Sequence, residues 1–171
     1  VPQTLELVNT RNWQSQCHPS LNCRDLCFTV GNKIIETPVS CRWRYFETDY
    51  MKHLFHQYFL EGAQWICAPR PLIHDTSFDI SPDRLQTLAG DPEEHYLDYD
   101  KEIMFDAANC LKLGTHILMN VATQNHKLGA KWLKSILEPT YTIWETNIAG
   151  DHIDSTILPV KPGVAIIMKP D

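Results

Sequence analysis

The order of elements that can be read along this chain constrains its fold more than any single motif. Two rounds of strand, strand, helix, strand are predicted, one on each side of a loop-rich acidic stretch over residues 74–102. In the first, strands at residues 26–30 and 33–36 flank Gly31-Asn32, a two-residue hairpin signal. Tyr50, Met51, Leu54, Phe55, Tyr58 and Phe59 then fall on one helical face, opposite Lys52, His53, His56 and Gln57. Gly62 ends that helix, residues 64–67 read as a strand, and Pro69 and Pro71 stop it. In the second round the apolar run Ile103-Met104-Phe105 predicts a buried strand with Asp106 at its end. A strand over 115–121 follows, and after it a helix over 127–137 with Leu128, Trp132, Leu133, Ile136 and Leu137 inward and Lys127, Lys131 and Lys134 outside. The strand at 141–144 completes the round. A last hairpin, 156–160 with 164–168, turns at Pro162-Gly163. No strict sequence repeat accompanies the repeated order.

Composition narrows the class. A chain of 171 residues can build one domain with a sizeable core. A net charge of −6 with no basic cluster argues against a nucleic-acid or anionic-membrane binder, and no apolar run approaches a membrane span. Six cysteines without regular spacing, and no N-x-S/T site, read as reduced thiols of a cytoplasmic protein. The chain starts at Val1 without a methionine and stops just after an apolar strand, which suggests a piece of a longer protein.

The chemistry-bearing side chains stand where apolar packing or a turn would be ordinary. An ionised Asp106 at the end of an apolar run is costly unless paired. His152 and Asp154 are two apart, so in extended chain they share a face. A histidine among acids, with a distant half-buried acid, is the raw material of a base held by a carboxylate, and more often of a structural ion pair. Asp25 stands at the mouth of the first strand, where an Asx turn is the simplest role. Arg24, Arg42, Arg44 and Glu47 read as a structural ion-pair network. Cys17, His18, Cys23 and Cys27 invite a zinc site, but the spacing C-H-x4-C-x3-C lacks a C-x2-C knuckle and a second ligand pair, so free thiols are the simpler reading and no metal is assigned. His53 and His56 belong to a solvated helix face. Ser81-Pro82-Asp83 is a helix start closed by Gly90. The acids beyond it read as solvated surface.

Taken together, the motifs resemble a known family. Phe105-Asp106-Ala107-Ala108 followed by His152-Ile153-Asp154-Ser155-Thr156 is similar to the amidinotransferase pattern FDAAD … HID(A/S)T. Upstream, Asn22-Cys23-Arg24-Asp25, Ile34-Ile35-Glu36-Thr37-Pro38 and Arg42-Trp43-Arg44-Tyr45-Phe46-Glu47 resemble CPRD … IIE(A/T)P … RSRFFE. Gly62-Ala63-Gln64-Trp65 and Ala68-Pro69-Arg70-Pro71 resemble GA(K/N/Q)W … APKP. These blocks keep the family's order from residue 21 to 171.

The resemblance implies an α/β pentein fold, a pseudo-symmetric ring of five ββαβ units, of which this chain would supply about two as part of the catalytic domain. It implies transfer of the amidino group of L-arginine to an acceptor amine through a cysteine thiolate, with ornithine released and no cofactor. His152 matches the proton-shuttling histidine and Asp106 the acid behind it; Asp25 and Asp154 match the carboxylates that grip the substrate guanidinium. The partners implied are small molecules, with a homodimer the candidate assembly. The family's nucleophile would lie past Asp171, and none of the six cysteines here has its Gly-rich context, so no nucleophile is assigned and the 171-residue chain alone is expected to be inactive. Saxitoxin-type secondary metabolism is the first expectation, streptomycin-type aminocyclitol or glycine amidinotransfer the next. A guanidine hydrolase of the same fold and a noncatalytic metal-binding domain are the alternatives. Four departures bear on the site: CPRD reads NCRD, FDAAD reads FDAAN, RAGRD reads Lys112-Leu113-Gly114-Thr115-His116, and Trp43 replaces a small residue.

Overall fold

The computed structural model of the chain describes residues 22–40, 44–72, 102–149 and 152–168. Along them run β1 (Cys27–Val30), β2 (Lys33–Glu36), α1 (Lys52–Leu60), β3 (Gln64–Cys67), β4 (Cys110–Leu113), β5 (His116–Asn120), α2 (Gln124–Leu137), β6 (Thr142–Thr146), β7 (Ile157–Lys161) and β8 (Val164–Ile167). The strands form two three-stranded sheets, β1-β2-β3 and β4-β5-β6, and a two-stranded one, β7-β8. Both larger sheets are wired alike: an antiparallel hairpin, then a third strand parallel to the second. A parallel neighbour needs a crossover that carries the chain back to its starting end, which α1 and α2 provide. Two ββαβ units and the opening hairpin of a third are therefore present.

The three hairpins share two local devices. Each closes on a two-residue turn containing a glycine with positive φ: Gly31 at +58°, Gly114 at +64° and Gly163 at +79°. Only glycine enters that region without a Cβ penalty, and the resulting twist matches that of the strands. Each hairpin is also preceded by one turn of 3-10 helix, Cys23–Asp25, Ala107–Asn109 and Ile153–Ser155. The first and second of these turns pack together, and so do the second and third.

Residues 103–105 depart from expectation. They are not a strand: Met104 and Phe105 are buried, but the chain there is extended without a ladder, with Phe105 N–H donating to Pro38 O at 3.3 Å. The outer strand of the second unit is β4, and Asp106 precedes it as the N-cap of the 3-10 turn.

One core joins the two units, with Phe28, Val30 and Ile35 of the first hairpin packing with Phe105, Ile117 and Leu133 of the second unit. A satellite cluster of Leu111, Ala149 and Ile153 ties in the third 3-10 turn. α2 starts earlier than its apolar stripe, because Thr123 caps it and accepts from His126 N–H at 3.1 Å. Leu133 and Leu137 are buried, with Leu128, Trp132 and Ile136 half-buried behind them. α1 corrects the sequence reading. Of its apolar face only Phe55 is buried, while Leu54, Tyr58 and Phe59 are exposed and uncovered by any described residue. The third hairpin is similar, for Leu158, Val160, Ile166 and Ile167 of β7 and β8 are exposed. Among the described residues no helix is long and apolar enough to cross a membrane. Cys17 and His18 of the zinc hypothesis, the helix start at Ser81 and the acidic stretch lie outside the described residues.

Candidate active site

The packed 3-10 turns carry the chemistry. Asp25 is the last residue of the first turn, Asp106 caps the second, His152 caps the third, and Asp154 is the middle residue of that third turn. Corresponding turns of the repeated units thus deliver side chains to one place, although Asp25 ends its turn where Asp106 and His152 cap theirs.

The closest contact in that place is His152 Nε2 to Asp106 Oδ2, 2.9 Å. A carboxylate only accepts, so this contact places an imidazole proton on Nε2. The Asp106 side chain is 6 % exposed, and its charge is met on several sides. Ser40 N–H donates to Oδ1 at 3.2 Å, and Arg44 Nη1 lies 3.9 Å from Oδ2. Asn109 fixes the backbone beneath: its Oδ1 accepts from Asp106 N–H at 2.9 Å, and its own N–H donates back to Asp106 O. The change from FDAAD to FDAAN is therefore benign here. An amide supplies the same acceptor without placing a second negative charge in a buried turn.

Asp25 is reached through Arg44. Arg44 Nη1 is 3.0 Å from Asp25 Oδ2, while Nε and Nη2 fork onto the Glu47 carboxylate at 3.1–3.2 Å. Burial works against the Arg44 charge. Hydrogen bonds to Glu47 and Asp25, with the charges of Glu47 and Asp106, outweigh it and hold the guanidinium protonated beyond its ordinary range. Arg24 donates to Cys110 O and so pins the first turn to the start of β4. The loop carrying Arg44 is anchored by Glu36, which accepts from Thr48 Oγ1 at 2.5 Å, Trp65 Nε1 at 3.2 Å and Cys67 Sγ at 3.1 Å. Arg70 lies over the Tyr45 ring, 5.1 Å from its centroid. The expected ion-pair network around Arg44 and Glu47 is thus present; Arg42 lies outside the described residues.

Asp154 is half-buried and makes no hydrogen bond or ion pair among the described residues. Asp25, Asp106 and His152 form one linked cluster, and Asp154 shares a turn with its histidine. Sequence reasoning left Arg44 off the site; pairing at this distance in the chain leaves no local signal. A small cavity of about 70 Å³ lined by Glu36, Tyr45, Lys52, Cys67 and Arg70 holds none of the four predicted site residues. Among the described residues no group of three or more His, Cys, Asp or Glu could hold a metal ion.

Three of the thiols are poor nucleophiles. Burial pushes Cys110 up to about 12, and burial, aided by nearby negative charge, pushes Cys27 and Cys67 up to about 11. A thiol held protonated neither attacks carbon nor ligates metal well.

No protein-family model matches the sequence. Individual proteins do. Inosamine-phosphate amidinotransferase 1 of Streptomyces griseus is 38% identical over 162 residues, covering 94% of this chain and 44% of the relative. This chain is homologous to amidinotransferases. The L-arginine:L-lysine amidinotransferase of Pseudomonas savastanoi pv. phaseolicola is 32% identical over 172 residues, 97% of this chain and 46% of the relative. Among solved structures, SxtG of Microseira wollei, from the saxitoxin biosynthetic pathway, superimposes with a TM-score of 0.69 at 34% identity, covering 84% of this chain and 40% of that one. A dimethylarginine dimethylaminohydrolase, at 10% identity and a TM-score of 0.59, shares the fold alone. These neighbours are pentein-fold proteins, and the α/β units described above are part of that fold. The chain spans less than half the length of the curated relatives it matches.

Proposed function

We propose that the whole protein transfers the amidino group of L-arginine to an acceptor amine through a covalent amidino-cysteine. The observation that carries the reading is the 2.9 Å His152–Asp106 contact, linked through Arg44 to Asp25, in a chain homologous to amidinotransferases.

The guanidino carbon is a weak electrophile because resonance spreads its charge. A site must hold the cation flat and keep its charge on the amidino group while a nucleophile adds. Carboxylates suit this task, since a guanidinium presents planar, forked N–H donors. Asp25 and Asp154 are assigned that clasp. A thiolate adds to the carbon, the C–N bond to ornithine breaks, and imidazolium His152 gives its proton to the departing nitrogen. The acceptor amine then adds to the amidino-thioester, neutral His152 takes its proton, and the C–S bond breaks to return the thiolate. Asp106 holds the ring in one tautomer and offsets the imidazolium charge throughout. Cys27, Cys67 and Cys110 do not fit the nucleophile, because each is held protonated. A cysteine from the part of the whole protein beyond Asp171 is assigned to it, and the 171-residue chain alone is expected to be inactive.

The acceptor belongs to secondary metabolism in this reading, first a saxitoxin-type precursor, as suggested by likeness to SxtG. An aminocyclitol phosphate is the second reading, favoured by 38% identity to the inosamine-phosphate enzyme. The test is to supply the whole protein with arginine and a panel of amines. Ornithine released only when an amine is present, and lost about 10³-fold or more in His152→Ala, is the expected result. Citrulline formed without any amine would refute transfer in favour of hydrolysis.

A further inference from the structure

Arg44 is the cation common to both halves of the candidate site. Its fork is divided: Nε and Nη2 are committed to Glu47, three residues on, which leaves Nη1 directed at Asp25 Oδ2 (3.0 Å) and Asp106 Oδ2 (3.9 Å). The same Asp106 oxygen meets His152. Asp25 therefore uses Oδ2 internally, while its Oδ1 makes no bond among the described residues. All of these side chains are largely buried, with Arg44 and Glu47 14 % exposed and Asp25 15 %, so the charges are weakly screened.

We infer that Arg44 is a positioning residue that couples the two halves of the site, holding Asp25 with one oxygen presented to a cationic substrate and tempering the pull of Asp106 on the His152 proton. This rests on the reading under Proposed function. Among the described residues, the charged groups linked to His152 are Asp106 from the second turn and Arg44 behind it, with Asp154 on its own turn. Of these Arg44 alone is positive. A fixed cation beside the backing carboxylate weakens that carboxylate's hold on an imidazolium, and so favours a histidine that both takes and returns a proton. Lysine cannot substitute, because its point charge has no fork to be aimed by Glu47 while reaching two further carboxylates.

The test has two readouts, NMR titration of the His152 imidazole and steady-state kinetics of the whole protein, on Arg44→Gln, Arg44→Lys and Glu47→Gln. In Arg44→Gln the His152 midpoint is expected to rise by roughly 0.5–1 unit, and KM for arginine to rise about tenfold or more as Asp25 loses its fixed orientation. Arg44→Lys is expected to leave KM raised. Glu47→Gln keeps the guanidinium but removes the negative charge that offsets it, so the midpoint is expected to fall, while the looser aim at Asp25 is expected to raise KM about threefold to tenfold. This variant decides the matter if Arg44→Gln does not fold. A His152 midpoint unchanged in the folded variants would overturn the inference in favour of a purely structural arginine. A lower KM in Arg44→Gln would also overturn it, since Arg44 would then be competing with the substrate for Asp25. If the wild-type protein transfers no amidino group, the titration still reads the coupling, and only the functional reading fails.

Discussion

Asp25 and Asp106 stand at corresponding turns of two copies of one unit, yet they are held by different means. The Asp106 carboxylate accepts from a backbone N–H, that of Ser40, on a turn that the Asn109 side chain closes, and the residue before it is sealed in the core. Asp25 is fixed by a side chain, the Arg44 guanidinium. The helices behind them differ in the same sense. α2 has a side-chain cap and packs along its length, whereas α1 has no side-chain cap and buries only Phe55. The second unit is thus a rigid mount, suited to a group whose angle to the histidine must not vary. The first holds its carboxylate through one side chain bonded to Oδ2, which leaves the other oxygen for an incoming cation.

The sharpest way to break this comparison is to neutralise each carboxylate in the whole protein. Asp106→Asn keeps the shape and still accepts from Ser40 N–H, but it no longer selects the imidazole tautomer, so kcat is expected to fall by about 10³–10⁴-fold. Asp25→Asn is expected to act mainly on KM for arginine, by roughly 10–100-fold. Equal loss of kcat in both variants, with KM unmoved, would mean that the two turns do one job and that the contrast is mistaken.

A smaller effect tests the rigidity of the mount itself. A Cβ on Gly129 would lie 2.5 Å from Phe105 Cδ1 and 3.3 Å from Met104 O. Alanine in mid-helix gains about 1 kcal/mol in propensity over glycine. Overpacking a filled core costs about 1–3 kcal/mol, and neither Phe105, fully buried, nor the Met104 backbone can retreat easily. Gly129→Ala is therefore expected to destabilise by about 1–2 kcal/mol in denaturant unfolding. It should also lower kcat, since a displaced Phe105 moves Asp106. Unchanged stability would mean that α2 can shift on the sheet, and that Asp106 sits on a softer support than its burial suggests.

How much of this was legible beforehand follows from where each signal resides. The hairpins were readable because Gly31 and Pro162-Gly163 are turn chemistry confined to adjacent residues. The inward stripe of α2 was readable because period and length agreed. β4 was missed: four residues after a polar turn carry little pattern, and Ile103-Met104-Phe105 is the more apolar run, although its burial comes from tertiary packing without a ladder. The apolar face of α1 was visible, but whether a partner covers it is not a local property. Asp25, Asp106, His152 and Asp154 are named through resemblance; residue types alone make a structural ion pair, or a turn for Asp25, the better account. Arg44 was set aside because its meaning is non-local, with partners 19 residues before it in Asp25 and far downstream in Asp106.

The smallest expected effect bears on the same contrast from the other side. Ser40 Oγ is buried and has no hydrogen-bond partner among the described residues, although the Ser40 N–H holds Asp106. A buried hydroxyl without a partner carries its desolvation cost uncompensated, so deleting it should be neutral or stabilising. Ser40→Ala leaves the N–H in place, and stability is expected to change by less than about 0.5 kcal/mol, or to rise by up to about 1 kcal/mol. Urea unfolding of the variant beside wild type is sufficient. A loss above about 1 kcal/mol would show that the hydroxyl is bonded after all, and that Asp106 depends on a side chain as Asp25 does. A neutral result would leave the asymmetry intact: beside Asp106 a side chain can be removed without consequence, whereas beside Asp25 the side chain of Arg44 is the support.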